Sequence, residues 1–135
     1  MISNQMMRQR FRDDAVNTAS RERVVVMAFD RIERDLAEAL DAIDTHCPPA
    51  AHQALCHAQA LLSELQMMLD VSAWEHGHRL VAIYEYLIGR LVHANLTKSR
   101  EPIVEVQRHV HDLGDAFRSV AAEVTAMQLP AMAGR

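Results

Sequence analysis

The sequence predicts an all-α protein: an antiparallel up-down four-helix bundle with an additional N-terminal arm or short helix. Half of the 135 residues are hydrophobic but only 4% are aromatic, and there are only four glycines and four prolines. Apolar residues recur at steps of three and four in four separate stretches, which is the period of a helix with one buried face. A chain of this length has room for one domain with a substantial core.

The first predicted helix begins at Ser20, a favourable N-cap residue, and ends before Pro48 and Pro49, which a helix cannot cross intact. Its inner positions are Val25, Phe29, Ile32, Leu36, Leu40 and Ile43. Its other face is expected to be solvated and carries Arg31, Glu33, Arg34, Asp35, Glu38 and Asp41.

The second helix is predicted from about residue 50 to residue 69, with Met67 and Met68 widening its apolar stripe. Its inner positions are Leu55, Ala58, Leu62, Leu65 and Leu69. The third helix is expected to start near Trp74 and includes residues 80–95, which hold both tyrosines of the chain. Because Tyr84 and Tyr86 are two residues apart on a helix, they must point to different sides.

The fourth helix has the most regular pattern and carries Pro102 in its first turn, where no helical donor is lost. Its inner positions are Ile103, Val106, Val110, Leu113, Phe117, Val120 and Val124. Residues 97–99 form the turn before it. The chain thus divides into an N-terminal arm (residues 1–17), a four-helix bundle (18–125) and a disordered tail (126–135).

The formal net charge of -4 argues against a nucleic-acid partner, because no overall positive field is available to hold a polyanion. No apolar stretch reaches the length of a secretion signal or a membrane span, so a cytoplasmic protein without membrane insertion is expected. In that compartment Cys47 and Cys56 are expected to remain reduced.

Eight histidines raise the question of a metal site. A di-metal bundle needs two Glu-x-x-His pairs with further inward carboxylates, and the sequence offers a single pair, Glu75 with His78. The cysteines and histidines near the two prolines match no paired-cysteine zinc pattern; they are His46, Cys47, His52, Cys56 and His57. Phosphate-binding loops and nucleophile motifs are lacking too. We therefore expect no cofactor, no metal and no enzymatic activity.

Eight methionines provide adaptable apolar contact of the kind that helix-binding grooves use, although they can also fill a core that is poor in aromatic residues. The sequence motifs bear on this choice when they are read together in order. They are VNTAS (16–20), MAFD (27–30), EL (64–65), LD (69–70), YEY (84–86), RL (90–91), AN (94–95), EV (105–106) and DAF (115–117).

In this order and at nearly this spacing, the motifs resemble those of the flagellin-specific export chaperone family FliS, over about residues 11–118. The chain departs from the family pattern at Phe11, usually a tyrosine, at Arg21, usually a proline, and at Arg31, usually a small residue. Phe117 stands where a tryptophan is usual, and a common Gly-Gly is reduced to Gly77. A diverged member of the family also fits this pattern.

The resemblance implies a cytoplasmic chaperone that binds the C-terminal segment of flagellin, prevents premature polymerisation and delivers flagellin to a flagellar export gate component. It implies partner-binding positions at Met7, Phe11 and Val16 in the arm, which would cover the empty groove. Within the bundle it implies Met27, Tyr84 and Asn95, either in the groove or supporting it. A monomer and a homodimer both remain open.

Two residues have a competing interpretation: Tyr84 as a core tyrosine and Asn95 as a helix C-cap. The alternative function is a helical-bundle adaptor, or a metal-binding bundle protein, without a flagellin client.

Overall fold

The computed structural model describes the backbone of residues 4–72 and 75–133 and the side chains of residues 5–6, 21–72 and 75–123. Within these ranges the chain forms helices α1 (Asn4–Asp44), α2 (Pro48–Met67), α3 (Gly77–Thr97) and α4 (Arg100–Ala133), and no strands. Both α1 and α3 pack against α2 and α4, so α1 lies diagonally across the bundle from α3. The predicted all-α fold class and four-helix bundle are confirmed.

Polar contacts between neighbouring helices show that they run antiparallel. Arg100 at the start of α4 pairs with Asp44 at the end of α1, and further along α4 the Arg118 guanidinium lies 2.6 Å from Asp30. On the opposite side of the bundle, Asn95 near the end of α3 donates to His52 near the start of α2 over 2.9 Å. Each helix reverses the direction of the one before it, and this up-down order also makes α4 antiparallel to α1.

The core contains most of the predicted inner positions. Phe29, the central leucines and Tyr84 are almost inaccessible to solvent, and the Phe29 ring stacks on that of Phe117 with 5.3 Å between centroids. The fully buried large apolar residues, besides Tyr84, are Phe29, Ile32, Leu36, Leu55, Leu62, Leu87, Leu91, Ile103, Val106 and Val110. Helical spacing of aliphatic residues therefore identified the core correctly.

A short connection with a left-handed residue joins α1 to α2, and another joins α3 to α4. His46, at φ 54°, ends the α1 turn, and the next amide, Cys47 N, donates to Ala42 O over 2.8 Å. Pro48 and Pro49 then occupy the first turn of α2. Lys98, at φ 53°, is the C-cap of α3 and lies in the predicted turn, so the interpretation of Asn95 as the C-cap is wrong.

Gly77 is required at the start of α3 because the chain approaches itself closely there. A Cβ on this residue would lie 2.9 Å from the Cα of Val71, closer than such atoms pack. The expected start of the helix near Trp74 is therefore placed slightly later, at Gly77, and Trp74 itself lies outside the described residues.

The first and last helices, α1 and α4, are longer than the sequence pattern predicted. The helix expected to begin at Ser20 begins at Asn4, because no glycine or proline interrupts residues 4–44 and a favourable N-cap residue alone does not end a helix. Similarly, α4 continues to Ala133. The division into arm, bundle and tail stays a prediction, but the helices extend across both of its boundaries.

Four side chains differ from their predicted environment. Asp35, expected on the solvated face of α1, is 1% exposed, because that part of the helix faces α2. Met67 and Met68, expected to widen the buried stripe of α2, are 78% and 49% exposed at the end of the helix. Val120 is also exposed, because α2 and α3 are short and leave this part of α4 uncovered.

Candidate functional site

Among the six residues predicted as partner contacts, those whose side chains are described do not meet in one place. The side chains of Met7, Phe11 and Val16 lie outside the described residues. Met27 is exposed on α1, whereas Asn95 lies half-buried on α3, diagonally across the bundle. The assignment of the six residues as a binding site therefore remains a prediction.

Tyr84 belongs to the core. Its side chain is 1% exposed, and burial raises the pKa of its hydroxyl to about 12. Tyr86, two residues further along the helix, is 52% exposed on the side of α3 that faces α4. The prediction that the two tyrosines point to different sides is confirmed, and Tyr84 can act on a partner only by supporting the surface from beneath.

An apolar groove lies between α3 and α4, with a volume of about 410 Å³. Ile83 and Tyr86 line it from α3 with Leu87 beneath them, and His109 and Leu113 line it from α4. Ile83 is 40% exposed although it is purely apolar. Exposed apolar side chains grouped in a concave surface are typical of sites that receive an apolar partner. We call this surface the α3/α4 groove.

A hydrogen-bond network fixes Tyr86 at the edge of the α3/α4 groove. Its hydroxyl donates to one carboxylate oxygen of Glu105, and Arg90 Nε donates to the other over 2.7 Å. These two hydrogen bonds hold the pKa of Glu105 below its ordinary value, and the one from Tyr86 has the larger effect. The accepting carboxylate in turn raises the pKa of Tyr86. Glu105 thus keeps the tyrosine ring in a fixed position beside the apolar residues.

The depression continues past Tyr86 towards the turn between α3 and α4. This second part has a volume of about 610 Å³ and a more polar lining. Arg90, Arg100 and Arg108 contribute three guanidinium groups, with Glu101 and Glu105 among them. A partner segment lying along both parts would place apolar residues at one end and polar or acidic residues at the other.

A smaller cleft of about 150 Å³ opens at the opposite end of the bundle, where α2 and α3 meet. Val25, Leu65, Leu69, Tyr84 and Phe117 are among the residues that line it. Exposed apolar residues lie on nearby parts of α1, α2 and α4; they are Val24, Met27, Met67, Met68 and Val120. This end of the bundle therefore offers apolar contact, but the volume of the cleft admits only a side chain.

The cysteine and histidine cluster next to the two prolines is only partly assembled. His52 and Cys56 share a face of α2, as predicted, with Cys56 Sγ 3.6 Å from His52 Nε2, and Asn95 reaches both from α3. In the part of the chain whose side chains are described, no group of three or more possible ligands is arranged to hold a metal ion. The arrangement joins α2 to α3 by hydrogen bonds.

Sequence reasoning missed Ile83, His109 and Leu113 as groove residues. Ile83 lies one position away from the buried stripe that contains Leu80, Tyr84 and Leu87, so the pattern of the core did not include it. One feature of the sequence could have indicated the groove. Ile83 and Tyr86 are three residues apart and form a second apolar pair beside that buried stripe. Sequence alone could not tell that this flank faces α4.

Comparison with known proteins agrees with these features. The family model described as "Flagellar protein FliS" matches residues 3–124. "Flagellar secretion chaperone FliS" of Bacillus subtilis (strain 168) is 27% identical over 108 residues, 80% of this chain and 80% of the relative. The protein of the same name from Escherichia coli (strain K12) is 27% identical over 120 residues, 87% of this chain and 88% of the relative.

None of the described helices has a segment long and apolar enough to cross a membrane. The family match spans the bundle from α1 to α4 and includes both sides of the α3/α4 groove. Because it covers nearly the whole chain, the resemblance found in the sequence motifs is confirmed: the chain belongs to the FliS family.

Proposed function

We propose that this chain is a cytosolic flagellar secretion chaperone whose client is the C-terminal segment of flagellin. Both relatives carry the name of a flagellar secretion chaperone, which is the role of a binding protein and not of an enzyme. The observation that carries the proposal is the α3/α4 groove, where Ile83 and Tyr86 remain exposed beside Leu113. The groove provides the apolar contact that such a client needs.

The mechanism rests on coupled folding and binding. A segment that is disordered alone gains a helix when its apolar residues enter a groove between two helices, and the contact repays part of the cost of ordering the segment. While it lies in the groove, the same segment is withheld from other copies of flagellin. Polymerisation in the cytosol is thereby prevented, and the complex delivers flagellin to a component of the flagellar export apparatus.

Met7, Phe11 and Val16 are proposed to cover the groove when the client is absent. Since α1 is continuous from Asn4, this covered state requires the helix to break before it joins the bundle. Residues 16–20, VNTAS, are suited to such a break, because valine, asparagine, threonine and serine are weaker helix formers than alanine or leucine. Met27 and Asn95 are proposed as contacts of a longer client segment that extends beyond the groove.

The proposal is tested by calorimetry of the full chain with flagellin from the same organism and with a copy that lacks about its last 40 residues, long enough for a disordered segment to cover the groove. We expect binding to the complete flagellin and none to the truncated copy. A flagellin truncated by the same length within its central region is the matched control and should still bind. Binding that survives the C-terminal truncation would overturn the proposed mechanism.

A further inference from the structure

A second, polar groove lies between α1 and α2, on the opposite side of the bundle from the α3/α4 groove. Its volume is about 510 Å³. On α1 its lining includes Arg31, Asp35, Glu38 and Asp41, and on α2 it includes His57, with alanines between them. We call it the α1/α2 groove.

Asp35 is the one buried charged residue among the side chains described, at 1% exposure. Its Oδ2 lies 2.5 Å from His57 Nδ1. Its Oδ1 is also buried, but accepts no hydrogen bond from any described residue. The nearest cation is Arg31, whose Nε lies 3.2 Å from Oδ1 without the alignment of a hydrogen bond. A buried carboxylate oxygen without a donor is costly, so this position favours a better-aligned cationic donor.

The charges of the groove favour a cation as well. Asp35, Glu38 and Asp41 are three residues apart and extend about 9 Å along α1 at the usual helical rise. Arg31 is the only guanidinium in this lining, and its side chain is 44% exposed. No described set of side chains there could hold a metal ion, so the groove suits an organic cation.

The kind of cation follows from the geometry. Arg31 approaches Asp35 from one turn earlier on the same helix, which constrains how its planar group can meet Oδ1. A guanidinium that enters from outside has no such constraint and can donate two parallel hydrogen bonds to a carboxylate, whereas an ammonium acts as a point charge.

We infer that the α1/α2 groove is a docking site for an arginine side chain of a partner protein. The partner's guanidinium takes the place of Arg31 at Oδ1 of Asp35, and Arg31 turns towards solvent. Glu38 and Asp41 add to the negative field that attracts the guanidinium. Because α1 and α2 form the side of the bundle opposite the α3/α4 groove, this partner and a client segment in that groove contact different residues.

The test is an NMR titration of the full chain with the peptide acetyl-Gly-Arg-Gly-amide at constant ionic strength. We expect saturable shifts of amides around Asp35, Ala54 and His57. The corresponding lysine peptide should bind several-fold more weakly. Shifts that do not saturate, that sodium chloride reproduces, or that are equally strong with the lysine peptide would overturn the inference.

The second part of the test uses variants of the chain. None of them changes Asp35, because replacing a buried group can unfold the chain. The double variant Glu38→Gln with Asp41→Asn should weaken binding about threefold or more, the scale of exposed ion pairs. Arg31→Ala should tighten it, because the competing guanidinium is gone. Arg34→Ala removes the same charge from an exposed position outside the groove lining and is the matched control.

Equal tightening by Arg31→Ala and Arg34→Ala would show a general charge effect and would contradict the inference. No flagellin enters these measurements, so their outcome is independent of the proposed client. Binding of the arginine peptide can therefore succeed where flagellin binding fails, and the reverse.

Discussion

Replacement of Ile83 tests whether the α3/α4 groove holds the flagellin segment. The side chain is 40% exposed, so docking of an apolar helix removes this remaining surface from water. Complete burial of such a side chain contributes roughly 1.5–3 kcal/mol, so the remaining part contributes about 1 kcal/mol. Ile83→Ala should therefore weaken binding about fivefold, the ratio that corresponds to that free energy.

A charged replacement should have a larger effect. In Ile83→Asp the client has to cover a carboxylate with apolar groups, and stripping water from an unpaired charge costs several times as much as the lost contact. We expect at least about a hundredfold loss of affinity, since a desolvated charge costs several kcal/mol. Both variants should retain the helical circular dichroism spectrum and a cooperative thermal transition, because Ile83 is not among the residues of the buried core.

Val92→Asp provides the matched control. Val92 lies on the same helix and is 41% exposed, but nine residues separate it from Ile83, which places it about 180° around α3. Calorimetry with a flagellin segment no longer than the α3/α4 groove, which does not extend to Asn95, should show strong binding to Val92→Asp and weak binding to Ile83→Asp. Equal affinities for these two variants would refute the assignment of the groove.

Three further predictions concern stability and the N-terminal arm. Phe29→Ala should lower the free energy of unfolding by roughly 3–5 kcal/mol in urea titrations, because the ring is fully buried and stacks on Phe117. The hydrogen bond to Glu33 raises the pKa of His111 in the folded protein above its unfolded value of 6.5. The stabilisation from protonated His111 is therefore complete below pH 6.5 and is lost as the pH rises through the folded pKa. The difference in unfolding free energy between the parent and His111→Gln should shrink as the pH rises through this range. Deletion of residues 1–15 should preserve a cooperative thermal transition while changing client affinity, since every described core residue comes later in the chain; loss of that transition would place the arm in the core.

The sequence predicted the helical core well because burial in a bundle follows one periodicity. On α1, for example, Phe29, Ile32 and Leu36 follow one another at steps of three and four residues, and each faces inward as that repeat requires. The ends of the helices were harder to predict. Ser20 has the chemistry of an N-cap but lies within α1, since a helix continues through such a residue when no glycine or proline stops it.

The groove residues could not be predicted from periodicity, because they depend on which helices are neighbours. Ile83 and Tyr86 lie on the flank of the buried stripe, and only the position of α4 turns that flank into a groove. The environment of Asp35 also depends on which helix is its neighbour, but here the neighbour buries a residue that was expected to be exposed. As a charged residue it was assigned to solvent, but the position of His57 on α2 allows it to be buried with a partner.

The arrangement of the helices also limits how partners can combine. Because α1 contacts α2 and α4 but not α3, the two grooves lie on opposite sides of the bundle and share no lining residue. A client helix in the α3/α4 groove therefore leaves the lining of the α1/α2 groove uncovered for a second protein. A chaperone that must hold flagellin and also be recognised by another component needs two such surfaces. A variant that loses one of them, Ile83→Asp or Glu38→Gln with Asp41→Asn, should retain binding at the other.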